Sequence, residues 1–232
     1  MIKLELHTHT DDDPADKIGH STRDLIDRAA SLGYGALAVT LHDRFVDPAP
    51  HVAYARERGI VLLSGIEKTI DRRHILLINF PAECADVRTF DDIGRLKQKF
   101  QGLVIAPHPF YPIPSALGSE LDRHRTLVDA VEVNAMYTRL VDFNRRAVAW
   151  ARAHGKPLVG NSDLHLLDQM GTTYSLVDAG PCPDAICDAI RAGRVEVRSA
   201  PLSSLRAATL FSQMCWGGIV GRLSRDRHHN HP

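Results

Sequence analysis

Two pairs of potential metal ligands occur at a spacing of two residues. His7 and His9 form the first pair, and Asp163 and His165 form the second. Side chains alternate along an extended chain, so residues i and i+2 point the same way and can bind one ion together. A single pair is also an ordinary feature of a strand end. Two pairs from opposite ends of the sequence favour a metal centre.

Four further side chains are candidate ligands. Glu67 follows an apolar, strand-like run, where its two carboxylate oxygens could bridge two cations. His108 stands between two prolines, which stiffen the loop and fix the direction of the imidazole. His42 ends one predicted strand and His74 opens another. Each of these last two is equally compatible with a ligand and with a structural histidine.

The segment after His9 contains three consecutive aspartates, Asp11 to Asp13, followed by a proline, and His20 precedes a serine and a threonine. One carboxylate here could complete a further metal site. Consecutive aspartates before a proline are also ordinary turn chemistry, and His20 could simply precede a helix cap. The residues alone leave these alternatives open.

The ligand chemistry limits the metal. Imidazoles mixed with carboxylates, without thiolates, favour zinc, manganese or iron and leave coordination positions open for solvent. Such ions are catalytic rather than structural. The four cysteines lie at uneven spacings with no CxxC pair. They are therefore expected to be reduced and structural.

The elements that must position these ligands alternate between short aliphatic runs and amphipathic helical patterns, which is typical of an α/β protein. The pattern predicts strands over 3–7, 36–40, 60–66, 74–79, 103–106, 130–133, 157–160, 173–176 and 195–197. It predicts helices capped by Ser21 or Thr22 and over 48–58, 91–100, 143–154 and 183–192. About seven parallel strands suggest a barrel or a related closed sheet, with the site at the C-terminal ends of the strands. Almost every candidate ligand follows a predicted strand, so these ligands should converge.

Length indicates the domain organisation, and charge limits the binding partners. A chain of 232 residues suits one catalytic domain, placed at 1–200, with a helix at 201–220 packed on the barrel and a disordered polar tail at 221–232. A basic tail that binds nucleic acid is the alternative for the last segment. Lysine plus arginine and aspartate plus glutamate both total 28. No broad basic field is available for nucleic acid or an anionic membrane.

The chain ends give an expectation about location. The N-terminus passes directly into a strand-like run without a cleavable leader, which favours a cytoplasmic protein. The apolar stretch at 214–220 is interrupted by glycines and falls short of the ~20 residues that a membrane span requires. We expect no transmembrane helix.

Taken together, the motifs resemble those of the polymerase and histidinol phosphatase (PHP) superfamily over about residues 1–200. The resemblance rests on five motifs in order: LHTHT at 6–10, ALAVTLHD at 36–43, GIE at 65–67, APHP at 106–109 and SDLH at 162–165. It implies a distorted, TIM-like barrel of about seven β/α units. No polymerase sequence accompanies the motifs here, so a stand-alone phosphoesterase is expected.

The resemblance also implies a trinuclear site. The first ion would be held by His7, His9, Glu67 and Asp163, and the second by Glu67, His74 and His108. The third would take His42, His165 and one residue of the loop after His9, for which we choose Asp12 over Asp13 and His20. This loop is longer than in many members, and Leu41 stands where they often carry an aspartate.

The predicted activity is hydrolysis of a small phosphomonoester, such as a nucleotide or a sugar or amino-alcohol phosphate. Two or three divalent ions (Zn, Mn or Fe) would supply a bridging hydroxide as nucleophile. Arg44 is either a clamp for a substrate phosphate or a solvated loop residue. His165 is the one side chain considered for a direct catalytic role.

Three alternative functions are also compatible with these residues. The same chemistry on a phosphodiester would give an exonuclease or nucleotide phosphodiesterase acting on short nucleic acid or nucleotides. An amidohydrolase-type metal hydrolase would share the histidine pair on the first strand. A noncatalytic metal-binding module would require closed coordination shells. The expected partner is a small phosphorylated substrate, without a membrane and without strong nucleic-acid binding.

Overall fold

A computed structural model describes residues 1–213 of the chain. The predicted tail at 221–232, the end of the predicted C-terminal helix at 214–220 and Cys215 lie outside the described residues. The strands are β1 (Ile2–Glu5), β2 (Ala36–Ala38), β3 (Val61–Leu63), β4 (Gly65–Ile70), β5 (Arg73–Ile78), β6 (Leu103–Ala106), β7 (Ala130–Asn134), β8 (Leu158–Asn161), β9 (Thr173–Val177) and β10 (Val195–Ser199). The helices are α1 (Thr22–Ser31), α2 (Ala49–Glu57), α3 (Phe90–Lys99), α4 (Glu120–Arg123), α5 (Asn144–Ala153) and α6 (Pro183–Arg191), with short 3-10 helices at Ala82–Asp86 and Leu167–Gln169.

These strands form two mixed sheets of five strands each. The first has the order β10-β9-β1-β2-β3 and the second the order β4-β5-β6-β7-β8. Neighbours are parallel within β1-β2-β3 and within β6-β7-β8, whereas the pairs involving β9, β10 and the β4-β5-β6 meander are antiparallel. The prediction of a distorted, TIM-like (β/α)7 barrel is therefore wrong. Across residues 1–213, the strand ladders stay in two sheets and do not form one closed barrel.

The division between the sheets begins inside the strand that the sequence predicts over 60–66. The strand is interrupted at Ser64. As a result, β3 pairs with β2, whereas β4 forms a hairpin with β5. The Ser64 hydroxyl donates to the Phe80 carbonyl at 2.9 Å, and the Asn79 amide donates to the Ser64 carbonyl at 2.8 Å. Both halves of the run are apolar and mostly buried. Hydrophobicity alone therefore gives no signal for the break.

Two isolated parallel bridges join the sheets just beyond their strands. Thr8, after β1, pairs with Leu164, after β8, and His42, after β2, pairs with Glu67 in β4. Each bridge is adjacent to candidate ligands. We call this line of contact the seam. It brings residues that are far apart in sequence to the same end of both sheets.

Helix caps and apolar faces hold the helices against the sheets. Ser21 caps α1 through a reciprocal capping box with Asp24, which confirms the predicted helix start. Leu25 and Ile26 of α1 are fully buried in a cluster with Leu37 of β2. A second apolar cluster lies under α3 and α5, and a third collects residues of both sheets with α6. Apolar burial of this kind supplies most of the stability of the fold.

Residues 204–213, which lie within the predicted C-terminal segment, are helical. Leu210 is buried, and the Arg206 guanidinium donates to the Asp168 carbonyl at 3.2 Å. In the described part of the chain no helix has both the length and the apolar character needed to cross a bilayer. The three cysteines described, Cys84, Cys182 and Cys187, are free.

Candidate metal centre

The candidate ligands form one cluster, with His7 and His9 at its centre. Both histidines follow β1 and are fully buried. The Nε2 atoms of both imidazoles lie 3.4 Å from Glu67 Oε2. The same two atoms lie 3.3 Å and 3.5 Å from Asp163 Oδ1. The seam produces this arrangement, because the His9 amide donates to the Leu164 carbonyl at 2.9 Å.

These four donor atoms have the spacing of a metal site. Donors about 2.0–2.1 Å from one tetrahedral ion stand about 3.4 Å apart, which agrees with the observed separations. His7 Nε2, His9 Nε2 and Glu67 Oε2 are buried and make no hydrogen bond of good geometry, although His42 Nε2 lies 3.1 Å from the Glu67 oxygen. Burying such atoms without a partner is costly. A cation among them would satisfy all three, so the residues present fit the predicted metal.

The other oxygen of Glu67 faces a second pair of histidines. Glu67 Oε1 lies 2.6 Å from His74 Nδ1 and 3.3 Å from His108 Nε2. Strand alternation in β4 directs Glu67 to this side, while the next residue, Lys68, reaches the Ala85 carbonyl on the other side. The two oxygens of one carboxylate therefore serve two groups of histidines. This is the geometry of a bridging ligand.

A third group of donors surrounds His42 and His165, whose rings both approach that of His9 at 4.4 Å between centroids. Asp16 Oδ2 lies 3.2 Å from His165 Nε2 and 4.0 Å from His42 Nδ1. Sequence reasoning missed Asp16. Its only signal was its place in the polar loop after the first histidine pair, where an aspartate could enter the site as easily as the three before it.

The structure does not bring Asp12, the residue chosen for the third ion, into this cluster. Asp12 is 65% exposed, and its carboxylate lies 3.8 Å from the Arg44 guanidinium. Arg44 is itself 56% exposed and donates to the Asp12 carbonyl at 2.9 Å. These two residues contact each other rather than the histidines. The turn that links the Asp13 amide to the Thr10 carbonyl directs Asp12 outward and Asp13 inward.

Asp13 and His20 lie behind the cluster. Asp13 Oδ2 lies 2.8 Å from His9 Nδ1 and 3.0 Å from His42 Nδ1. A carboxylate can only accept here, so it orients His9 with Nε2 directed toward Glu67. His20 Nε2 donates to the His9 carbonyl at 2.9 Å. His20 therefore supports the backbone of the loop, with the ring nitrogen that faces His9 already engaged.

The electrostatics of the cluster reflect many opposite charges in a buried volume. Burial alone would raise the pKa of Glu67, but the imidazoles of His7 and His74 hold it well below its usual range. The pKa of Asp163 is likewise held well below its usual range, against burial, by neighbouring imidazoles. Both carboxylates are therefore ionised at neutral pH and available to a cation.

The histidines respond in opposite directions. Burial would lower the pKa of His42, but Glu67 and Asp13 raise it to about 9. The pKa of His9 is lowered, because it is buried and lies beside the imidazoles of His165 and His42. In the metal-free protein, protons on some imidazoles thus occupy the places that cations would take.

Two ligand candidates have unusual backbone conformations. His108 has φ 30° and Asp163 has φ 52°, both in a region that residues other than glycine rarely adopt. Such strain persists only where the surrounding structure imposes it. The bridge at Leu164 constrains the Asp163 loop, and the flanking prolines constrain the loop of His108.

Two buried glutamates beneath the histidines also escaped sequence reasoning. Glu5 in β1 and Glu132 in β7 have no exposed surface. The pKa of Glu5 is raised to about 8 by burial, despite its hydrogen bonds to Ser162 and the His7 amide. The available signal was a single acidic residue within each apolar strand, a position that charged residues rarely take without a function or a partner.

Comparison with known proteins found a family match over part of the chain and several similar solved structures. The family described as PHP-associated (PHP_C) matches residues 142–195. A two-domain protein from Bacteroides vulgatus containing a predicted PHP-like metal-dependent phosphoesterase superposes with a TM-score of 0.64 and 18% identity, over 92% of this chain and 70% of that one. PsfC from Pseudomonas syringae gives a TM-score of 0.63 and 18% identity, over 97% and 99% of the two chains.

A third similar structure is the lesion-specific endonuclease PfuEndoQ from Pyrococcus furiosus. It has a TM-score of 0.57 and 14% identity, over 84% of this chain and 57% of that one. No curated protein matches the chain by sequence. At these identities the structural matches establish the fold. With the PHP-associated match, they confirm the resemblance of this chain to the PHP superfamily.

Proposed function

We propose that the protein is a metal-dependent phosphoesterase of the PHP type. One observation carries the proposal: the Nε2 atoms of His7 and His9 and Oε2 of Glu67 are buried without a hydrogen bond of good geometry at the spacing of metal donors. Asp163 supplies the fourth donor of this group. Mixed imidazole and carboxylate donors are those of catalytic zinc, manganese or iron sites.

The remaining ligands follow from the same geometry. Glu67 would bridge to a second group with His74 and His108, which both approach its Oε1. For the third group we propose Asp16 with His42 and His165, in place of Asp12. When bound, divalent ions lower the pKa of water toward ~7 and neutralise charge on a phosphoryl group.

The protein residues would hold and orient this centre. Asp13 fixes the ring of His9, while Glu67 offers one oxygen to each of two donor groups. His165 lies on the edge of the cluster and remains 12% exposed. His42 and His74 are exposed to a similar degree, 14% and 16%, so the proposal that His165 exchanges a proton with a leaving group does not rest on exposure alone. A nucleophilic serine or cysteine is not required by this arrangement.

A small phosphomonoester is the proposed substrate. The balanced formal charge of the chain supports local capture of a small anion over electrostatic capture of a long polymer. A phosphodiester is the second candidate, because the structurally similar PfuEndoQ is an endonuclease. Both reactions require the same cluster. They differ in the group that leaves.

The test starts from chelator-treated protein supplied separately with Zn²⁺, Mn²⁺ or Fe²⁺. Each form is assayed on nucleoside and sugar monophosphates, on a chromogenic phosphodiester and on a short single-stranded oligonucleotide. Turnover that depends on metal and prefers monoesters supports the proposal. Preference for the diester or oligonucleotide transfers it to the second candidate. Absence of metal-dependent turnover on every phosphoester contradicts both.

A further inference from the structure

Glu132 lies in the middle of β7 and uses both carboxylate oxygens within the protein. Oε2 lies 2.8 Å from His7 Nδ1 and accepts from the Asn161 side-chain amide at 3.1 Å. Oε1 accepts from the backbone amide of His108 at 3.1 Å and from the Asn134 side chain at 2.9 Å. Four donors therefore surround a carboxylate with no exposed surface.

This arrangement determines the state of the His7 ring. A carboxylate has no proton to donate, so the hydrogen bond requires a proton on His7 Nδ1. The neutral imidazole then has its lone pair on Nε2, the atom that faces Glu67 and Asp163. The opposite tautomer would place a hydrogen among the metal donors. The contact thus selects the form of His7 that can bind a cation.

The second oxygen acts on a different group of ligands. Glu132 Oε1 accepts a hydrogen bond from the backbone amide of His108, a residue held at φ 30°. A hydrogen bond to this amide helps hold the loop in the conformation that directs His108 Nε2 toward Glu67 at 3.3 Å. One carboxylate thereby contacts a ligand of the first group and a ligand of the second.

We propose that Glu132 is a positioning residue for the metal centre, which fixes the tautomer of His7 and the loop of His108. This rests on the proposed metal-dependent function. Carboxylates that accept from the second nitrogen of a metal-bound histidine typically affect metal affinity by about 10- to 100-fold. Asp13 has the corresponding contact with His9, which makes the arrangement symmetric across the pair.

A purely structural role is the competing explanation. The Asn161 side chain that donates to Glu132 also accepts from the Leu6 amide at 3.1 Å, so the network links β1, β7 and β8. Loss of Glu132 could therefore lower stability without a specific effect on metal. The experiment must separate the two effects.

Glu132→Gln keeps the size of the side chain but replaces one acceptor oxygen with a donor. Zn²⁺ affinity is measured by competition with a chromophoric chelator, and the tautomer of His7 by ¹⁵N NMR of the Zn²⁺-loaded protein. We expect affinity to fall by about 10- to 100-fold and the Nδ1-protonated form of His7 to decrease. Ser175→Ala is the matched control, because Ser175 Oγ accepts from the Gly160 amide and hydrogen-bonds to neither Glu132 nor a proposed ligand. It should lower Tm without weakening Zn²⁺ binding.

Unchanged Zn²⁺ affinity in folded Glu132→Gln would overturn the proposal. If that variant does not fold, Glu132→Asp takes its place. Its shorter side chain should lose contact with His7, and unchanged affinity there would again refute the role. The proposed phosphoesterase activity is judged separately, since a wild-type protein that binds Zn²⁺ but hydrolyses no phosphoester contradicts the activity and leaves the positioning role intact.

Discussion

Glu67 Oε1 lies 2.6 Å from Nδ1 of His74, while the other oxygen of the same carboxylate is buried 3.1 Å from Nε2 of His42. That second oxygen faces His7 and His9 at 3.4 Å. A single negative group thus stands between two sets of imidazoles. This relationship makes Glu67 the residue on which a shared metal cluster would most depend.

Replacing Glu67 with glutamine should remove at least one ion and reduce turnover by at least about 100-fold. Two cations in a small volume repel each other, and a neutral amide offsets that repulsion far less than a carboxylate. Folding should be largely retained, because stability comes mainly from apolar packing elsewhere. Elemental analysis, turnover and thermal melting measure the three effects. Full metal content with wild-type turnover would show that Glu67 is not a ligand.

Asp16 and Asp12 provide a matched pair for the third donor group. Asp16→Asn should lower metal content or turnover, since Asp16 lies 3.2 Å from His165 Nε2. Asp12→Asn should have little effect, since Asp12 is exposed and contacts Arg44. Metal stoichiometry and turnover are compared for the two variants. The reverse order of effects would restore the choice made from the sequence.

The stability of the metal-free protein should decrease as pH rises from about 6.5 to 9. The pKa of His42 is raised to about 9 from its ordinary value of 6.5, and the pKa of Glu5 is raised to about 8. A group whose pKa is raised by folding stabilises the protein below its unfolded pKa and loses this contribution as pH passes the folded value. Thermal melting of chelator-treated protein across this range provides the measurement. A Tm that rises over the same interval would contradict the assignment.

Metal binding should release protons from the same cluster. His42 must lose its proton before it can bind a cation. The apparent affinity for metal should therefore weaken as pH falls below about 9. Calorimetric titration in two buffers of different ionisation enthalpy gives the number of protons released. Identical heats in both buffers would mean that the ligands bind metal without deprotonation.

Gly65 tests the packing at the division between the sheets, and Gly94 in helix α3 provides the control. A Cβ at Gly65 would lie 2.8 Å from both the Val39 carbonyl oxygen and Thr40 Cγ2. We expect Gly65→Ala to destabilise the protein by about 1–3 kcal/mol. At Gly94 within α3 the nearest atom is Leu127 Cδ2 at 3.5 Å, so Gly94→Ala should stabilise by about 0.5–1 kcal/mol. Urea denaturation measures both, and similar effects would refute the close approach at Gly65.

Much of the site was predictable because strand alternation is a local rule. It pairs His7 with His9 and Asp163 with His165 without knowledge of the fold. The choice among the aspartates was not predictable in this way. Which carboxylate of 11–16 points inward depends on the turn at Asp13, whose amide bonds to the Thr10 carbonyl.

The positions of most elements were also predictable, whereas the sheet topology was not. The start of α1 at Ser21 follows from capping chemistry. Strand direction has no comparable signal in the sequence. The residues of β9 show an ordinary strand pattern, although β9 runs antiparallel to β1. Glu132 was missed because an acidic residue between apolar neighbours is also compatible with the solvent face of a strand. Only the surrounding donors identify it as buried.

The seam has a consequence for how the protein would open. His7 and His9 extend from one sheet and Glu67 belongs to the other, while two isolated bridges are the backbone pairing that joins the sheets at this end. A bound ion would therefore crosslink the two sheets at this end, in addition to the apolar core that they share. Its removal would raise hydrogen exchange first at Thr8, His42 and their partners, and more slowly inside either sheet. The ligands that would carry the chemistry would then also control the first step of unfolding.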